Sequence, residues 1–96
     1  MILEADVEQY LRDRIKDLGG ETRKVKWIGR RGAPDRRCMT TYGCVWVEVK
    51  KPGERLADHQ RREHERMVDQ GERTIVVDSF DSVDRFVCDL VTGQYQ

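Results

Sequence analysis

The chain has 96 residues, enough for one domain (1–96) with a modest core. Its 18 Lys and Arg balance its 18 Asp and Glu, which argues against a uniformly basic nucleic-acid coat. No apolar run approaches the length of a membrane span. MILEADVEQY carries acids where a signal peptide has its basic segment. Three cysteines (Cys38, Cys44, Cys88) with no C-x-x-C pair fit reduced thiols in a cytoplasm better than a disulfide framework or a zinc knuckle.

Leu3, Val7, Tyr10, Leu11, Ile15 and Leu18 recur at helical spacing and predict an amphipathic first helix, ended by Gly19-Gly20. Thr22 to Ile28 alternates loosely and predicts a strand. A loop follows, Gly29-Arg-Arg-Gly-Ala-Pro34, punctuated by two glycines and a proline. Arg37 to Thr41 and Cys44 to Lys50 read as two strands joined by a turn at Tyr42-Gly43, and Pro52 ends the second. Leu56 to Gln70 predicts a second helix, with Leu56, His64, Met67 and Val68 facing inward. Thr74 to Val77 is short and apolar, which predicts a strand buried on both faces. Ser79 is placed to cap a last helix that turns Val83, Phe86, Val87 and Leu90 inward. The order α-β-β-β-α-β-α describes an α/β fold, a mixed central sheet flanked by helices.

Charge is distributed unevenly along this frame. Arg23, Lys24, Lys26, Arg30, Arg31, Arg36 and Arg37 fall in one stretch with Asp35 as its single acid, while the segment from Asp78 to Asp89 holds four Asp against Arg85. A neutral chain divided in this way can present one positive face to phosphates, which supply affinity and position but no sequence readout.

The strand VWVEVK, residues 45–50, concentrates the chemistry. Alternation puts Val45, Val47 and Val49 on one face and Trp46, Glu48 and Lys50 on the other. The charges fall at the C-terminal end of an apolar strand, where open α/β sheets place ligands. Asp35 follows Pro34 at the start of the neighbouring strand, and a hairpin would set it across from Glu48. Two carboxylates at one place repel unless something compensates them, and Mg2+ or Mn2+ is suited to carboxylate and water oxygens. Lys50 beside them can stabilise charge developing on a phosphate. Glu4 and Glu8 share one border of the first helix, and either could lean over the sheet edge; acids near a helix N-terminus are also expected from the dipole alone.

Gly32-Ala33-Pro34-Asp35, twelve residues, then Glu48-Val49-Lys50 resembles the PD-(D/E)XK nuclease motif. Gly19-Gly20, GRRGAPDR, VEVKKPG and Gln60 make the surroundings similar to the VRR-NUC branch, over residues 3–80. The resemblance implies a restriction-endonuclease-like core and a metal-dependent DNA endonuclease with no nucleotide cofactor. It also implies activity on branched DNA, as in homodimeric Holliday-junction resolvases of phages and bacteria, hence a cytoplasmic setting in a bacterial host. It makes Asp35 and Glu48 metal ligands and Lys50 the catalytic lysine. The helix-one acid falls on Glu8, with Glu4 as the alternative, and Gln60 lies near the site.

Two rival readings remain: a monomeric flap or single-strand-gap nuclease of the same family, and a DNA-binding module without catalysis. Acids inside a basic surface would repel phosphate, which counts against the last. Trp27 could stack on an unpaired base, although a strand Trp is more often core. Trp46 could wall the site or fill a dimer contact. His59 and His64 lie about 140° apart around a helix and do not converge on one metal; His64 reads as packed and His59 as exposed. The cysteines read as small core residues.

Overall fold

A computed structural model describes residues 1–94. Its elements are α1 (Glu4–Asp17), β1 (Glu21–Lys24), β2 (Arg36–Thr40), β3 (Gly43–Val49), α2 (Asp58–Asp69), β4 (Thr74–Val77) and α3 (Phe80–Thr92). The strands form one sheet in spatial order β1-β2-β3-β4. The first two pairings are antiparallel and β3–β4 is parallel, so the sheet is mixed and the expected element order is observed.

The alternation of β3 organises the layers. Val45, Val47 and Val49 are buried beneath α1 (Val7, Leu11, Ile15) and α3 (Val83, Phe86, Val87, Leu90), and Cys38 and Val77 complete this core. Each fully buried Val, Leu, Ile or Phe there contributes about 1.5–3 kcal/mol from lost apolar exposure. Tyr10 Oη donates to Asp84 Oδ1 at 2.7 Å and Arg14 Nη1 lies 3.0 Å from the same oxygen, tying α1 to α3. α2 adds nothing to that core. It covers the face of Trp46, Glu48 and Lys50, where it buries Glu63, His64 and Met67. Among the described residues no helix is long and apolar enough to cross a membrane.

Several boundaries differ from the sequence expectation, each for a local reason. β1 stops at Lys24, although Val25 N still donates to Asp35 O at 2.8 Å. Pro34, opposite the next position in register, has no N–H to continue the ladder. β4 is an edge strand with β3 as its one neighbour, and only Val77 is fully buried; it is not covered on both faces. α2 begins at Asp58, where Gln60 Oε1 accepts from Ala57 N at 2.9 Å, and Val68 faces solvent. Ser79 caps α3 as expected: Ser82 N donates to Ser79 Oγ, and Ser79 N to Ser82 Oγ, both at 3.0 Å. Gly20 is required by close approach, since a Cβ there would come within 2.6 Å of the Met39 carbonyl oxygen on β2.

Candidate active site

The β2–β3 register places the two acids together. Arg36 pairs with Val47, and extending the ladder by one residue sets Asp35 opposite Glu48. The segment before Asp35 is braced from both sides. Trp27 Nε1 donates to Pro34 O at 2.7 Å. Gly32, at φ +83°, lies against the first turn of α2, where a Cβ would meet His59 O at 2.8 Å and Gln60 Cα at 2.9 Å. Glycine at this position therefore lets the loop reach α2 and delivers Asp35 to the end of β3.

Glu48 is held in an environment hostile to its charge. Its side chain is 15% exposed. Burial first, then Asp35, push its carboxyl up to about 7; Glu4 adds to this, and Lys50 and Lys24 oppose it. Lys50 Nζ lies 4.0 Å from both Glu48 Oε2 and Glu54 Oε1, too far for a close hydrogen-bonded pair. The Lys50 backbone N donates to Val77 O at 2.9 Å, fixing the end of β3 against β4.

The helix-one acids differ. Glu8 Oε2 accepts from Arg36 Nη2 at 2.6 Å and lies 3.4 Å from Lys24 Nζ. Burial works to raise its pKa, but Arg36 and then Lys24 outweigh burial and hold the carboxyl below the usual range. Lys24 Nζ is also 3.3 Å from Asp35 Oδ2, so one ammonium stands between Glu8 and Asp35. Glu4 makes no ion pair among the described residues, and its charge acts on Glu48. Among the described residues no three His, Cys, Asp or Glu side chains converge closely enough to hold a metal ion. Gln60 adjoins Gly32, but its side-chain oxygen is engaged at the start of α2.

The fold withdraws Arg36 and Arg37 from the basic block, while Arg23, Lys24, Lys26, Arg30 and Arg31 stay exposed. Arg36 is buried on Glu8, and the Arg37 guanidinium stacks 4.9 Å from the ring centre of Trp46. Arg23 pairs with Glu21 and Arg30 with Glu63. Lys26 and Arg31 are exposed and make no ion pair among the described residues. Trp27 and Trp46 pack with ring centres 5.0 Å apart, so both brace the loop and sheet. His64 is buried and His59 exposed, as expected. Cys38 alone of the cysteines is a core residue, its thiol pushed up to about 12 by burial; Cys88 is exposed.

Glu63 was legible in the sequence only as one more helix charge. It is buried and receives hydrogen bonds from Arg66 Nε at 3.0 Å and Nη2 at 2.7 Å, and from Arg30. The spacing of Glu63 and Arg66 was visible; their meeting with the GRRG loop is a tertiary fact.

An aspartate, a glutamate and a lysine at the adjoining ends of two paired strands, on this element order, define the PD-(D/E)XK class of nuclease folds. A phage protein named "Putative nuclease p44", from Acyrthosiphon pisum secondary endosymbiont phage 1, is 39% identical over 82 residues, covering 84% of this chain and 88% of that protein. A solved VRR_NUC domain superposes with a TM-score of 0.80 at 38% identity, covering 88% of this chain and 92% of the other. No family profile matches the chain. On these likenesses the chain belongs to the VRR_NUC nuclease family.

Proposed function

We propose that this protein is a metal-dependent endonuclease that cuts branched DNA as a homodimer. The observation that carries the reading is Glu48: a largely buried carboxylate, opposite Asp35, with no hydrogen-bonded cation to neutralise it. Such a site is costly for folding and suited to a hard divalent cation. The oxygen donors of Asp35 and Glu48 fit Mg2+ or Mn2+ and would hold it. When bound, that cation polarises the scissile phosphate and lowers the pKa of an attacking water.

The chain's own groups supply the rest. Lys50, 13% exposed at the same strand end, offers an ammonium to the charge that develops on the phosphate. Glu8 is the acid that the family likeness favours, yet it is committed to Arg36 and Lys24. Glu4, whose charge already reaches Glu48, is the helix-one acid we favour. Gln60 orders the first turn of α2, against which the Asp35 loop rests. Lys26 and Arg31, with Arg23 and Lys24 at the sheet edge, are exposed members of the basic block that can contact DNA phosphates. Two nicks related by a two-fold axis suit a symmetric dimer, and a 96-residue chain has little surface with which to grip two arms.

The test is cleavage of a labelled four-way junction beside duplex, flap and single strand, in Mg2+, Mn2+ or EDTA, with the oligomeric state measured by sedimentation at assay concentration. Metal-dependent paired nicks on the junction by a dimer are expected. Cutting of flaps alone by a monomer would retain the site and overturn the substrate and assembly. Metal-independent binding without cutting would refute the enzyme.

A further inference from the structure

The GRRG loop and α2 enclose a second feature outside the acid site. Gly29, Arg30, Arg31, His59, Arg62 and Arg66 line a shallow cavity of about 350 Å³. Four arginines and a histidine line it, with no acid on the wall. Glu63, Asp69 and Glu72 line the neighbouring cavity beyond Arg66, together with Trp27 and Met67.

A cluster of one sign repels itself unless it is anchored. Glu63 anchors it from behind. Its carboxylate is 5% exposed and takes hydrogen bonds from both Arg30 and Arg66. The hydrogen bonds from Arg30, followed by those from Arg66, hold its pKa below the usual carboxylate range against burial. One carboxylate thus fixes two of the four arginines. Arg31 and Arg62 are exposed and make no ion pair among the described residues. The cluster keeps a surplus of positive charge on a braced frame. Planar guanidinium forks match phosphate oxygens in pairs, which a scattered set of lysines would not.

Its position bears on the reaction. Gly32, next to Arg31, lies on the backbone of His59 and Gln60, and Asp35 follows three residues later. The cluster therefore flanks the Asp35 end of the acid site along the same loop. We propose that Arg30, Arg31, Arg62 and Arg66, organised by Glu63, form a cradle for one backbone phosphate of DNA beside the phosphate that is cut. This rests on the nuclease reading and assigns to it a second phosphate contact, with Glu63 as a positioning residue.

The experiment is DNA binding by anisotropy in EDTA, in a Lys50→Ala background, over a salt series from about 50 to 200 mM. Arg31→Gln and Arg62→Gln are each expected to weaken binding about 3- to 10-fold and to lower the slope of log K against log salt by about 1. Arg85→Gln, an exposed change of the same charge on α3, should do neither. Glu63→Gln removes a negative charge, so long-range electrostatics alone would tighten binding; loss of a positioned cradle weakens it. Unchanged affinity and slope for Arg31→Gln and Arg62→Gln, or tighter binding by Glu63→Gln, overturns the cradle alone. Effects confined to 5′-phosphorylated ends would make it a terminal-phosphate site and overturn the backbone assignment. Absence of any DNA binding by the background protein, in EDTA and again in Mn2+, would refute the nuclease reading and the cradle with it.

Discussion

Glu63 and Glu48 are both sequestered glutamates on the α2 side of the sheet, and the chain treats them in opposite ways. Glu63 receives hydrogen bonds from two arginines, and its carboxyl is held below the usual range. Glu48 lies across from another acid, 4.0 Å from its lysine, and its carboxyl is pushed up to about 7. The first arrangement stabilises the fold by joining a loop to a helix. The second opposes the fold, and the proposed function gives it a cation to bind. Burial alone does not separate a structural acid from a functional one; the partners do.

The largest effect that would break this comparison concerns Lys50. Lys50→Ala should lower cleavage by about a hundred- to ten-thousand-fold with the melting temperature nearly unchanged, measured by single-turnover assay and thermal melt. Retained activity would remove Lys50 from the chemistry. Glu63→Gln should instead lower the melting temperature by several degrees, because Arg30 and Arg66 lose a charged acceptor. A melt unchanged from wild type would show that the two ion pairs are exchangeable with water.

His64 provides a pH test on the same face. Burial, with Lys50 adding to it and Glu63 opposing, keeps its folded pKa below the usual 6.5. Above about pH 6.5 the ring is neutral in both folded and unfolded chains and contributes no pH dependence. Below that value the unfolded chain takes up the proton first, so stability falls as pH falls toward the folded pKa. Urea midpoints for wild type and His64→Gln should therefore converge between pH 7.5 and pH 5.5, and a constant gap would contradict this. The smallest expected effect is in thiol reactivity. Iodoacetamide should modify exposed Cys88 in the native protein and spare Cys38, whose thiol is pushed up to about 12, until the chain unfolds.

Much of this arrangement was legible in the chain. The alternation of VWVEVK assigned its two faces correctly, Ser79 signalled the cap of α3, and the spacing of Asp35 and Glu48 suited a hairpin that the register bears out. What was not legible depended on contacts between distant segments. Seven basic residues close in sequence read as one surface, yet Arg36 is on the α1 face with Glu8 and Arg37 is under Trp46. Glu8 lies at the right spacing for the helix-one acid, and only the fold shows Arg36 and Lys24 occupying it. Thr74 to Val77 is apolar enough for a central strand, but strand order placed it at an edge.

The most direct measurement is the melting temperature of wild type and Glu48→Gln at pH 8, each in EDTA and in Mn2+. In EDTA, Glu48→Gln relieves a buried charge facing Asp35 and should melt higher than wild type, by about 4–8 °C if the relief is worth about 1 kcal/mol. Mn2+ should raise the wild-type melt and leave Glu48→Gln nearly unmoved. A Glu48→Gln protein that melts below wild type in EDTA, with both proteins responding equally to Mn2+, would make Glu48 a structural acid like Glu63 and contradict the account.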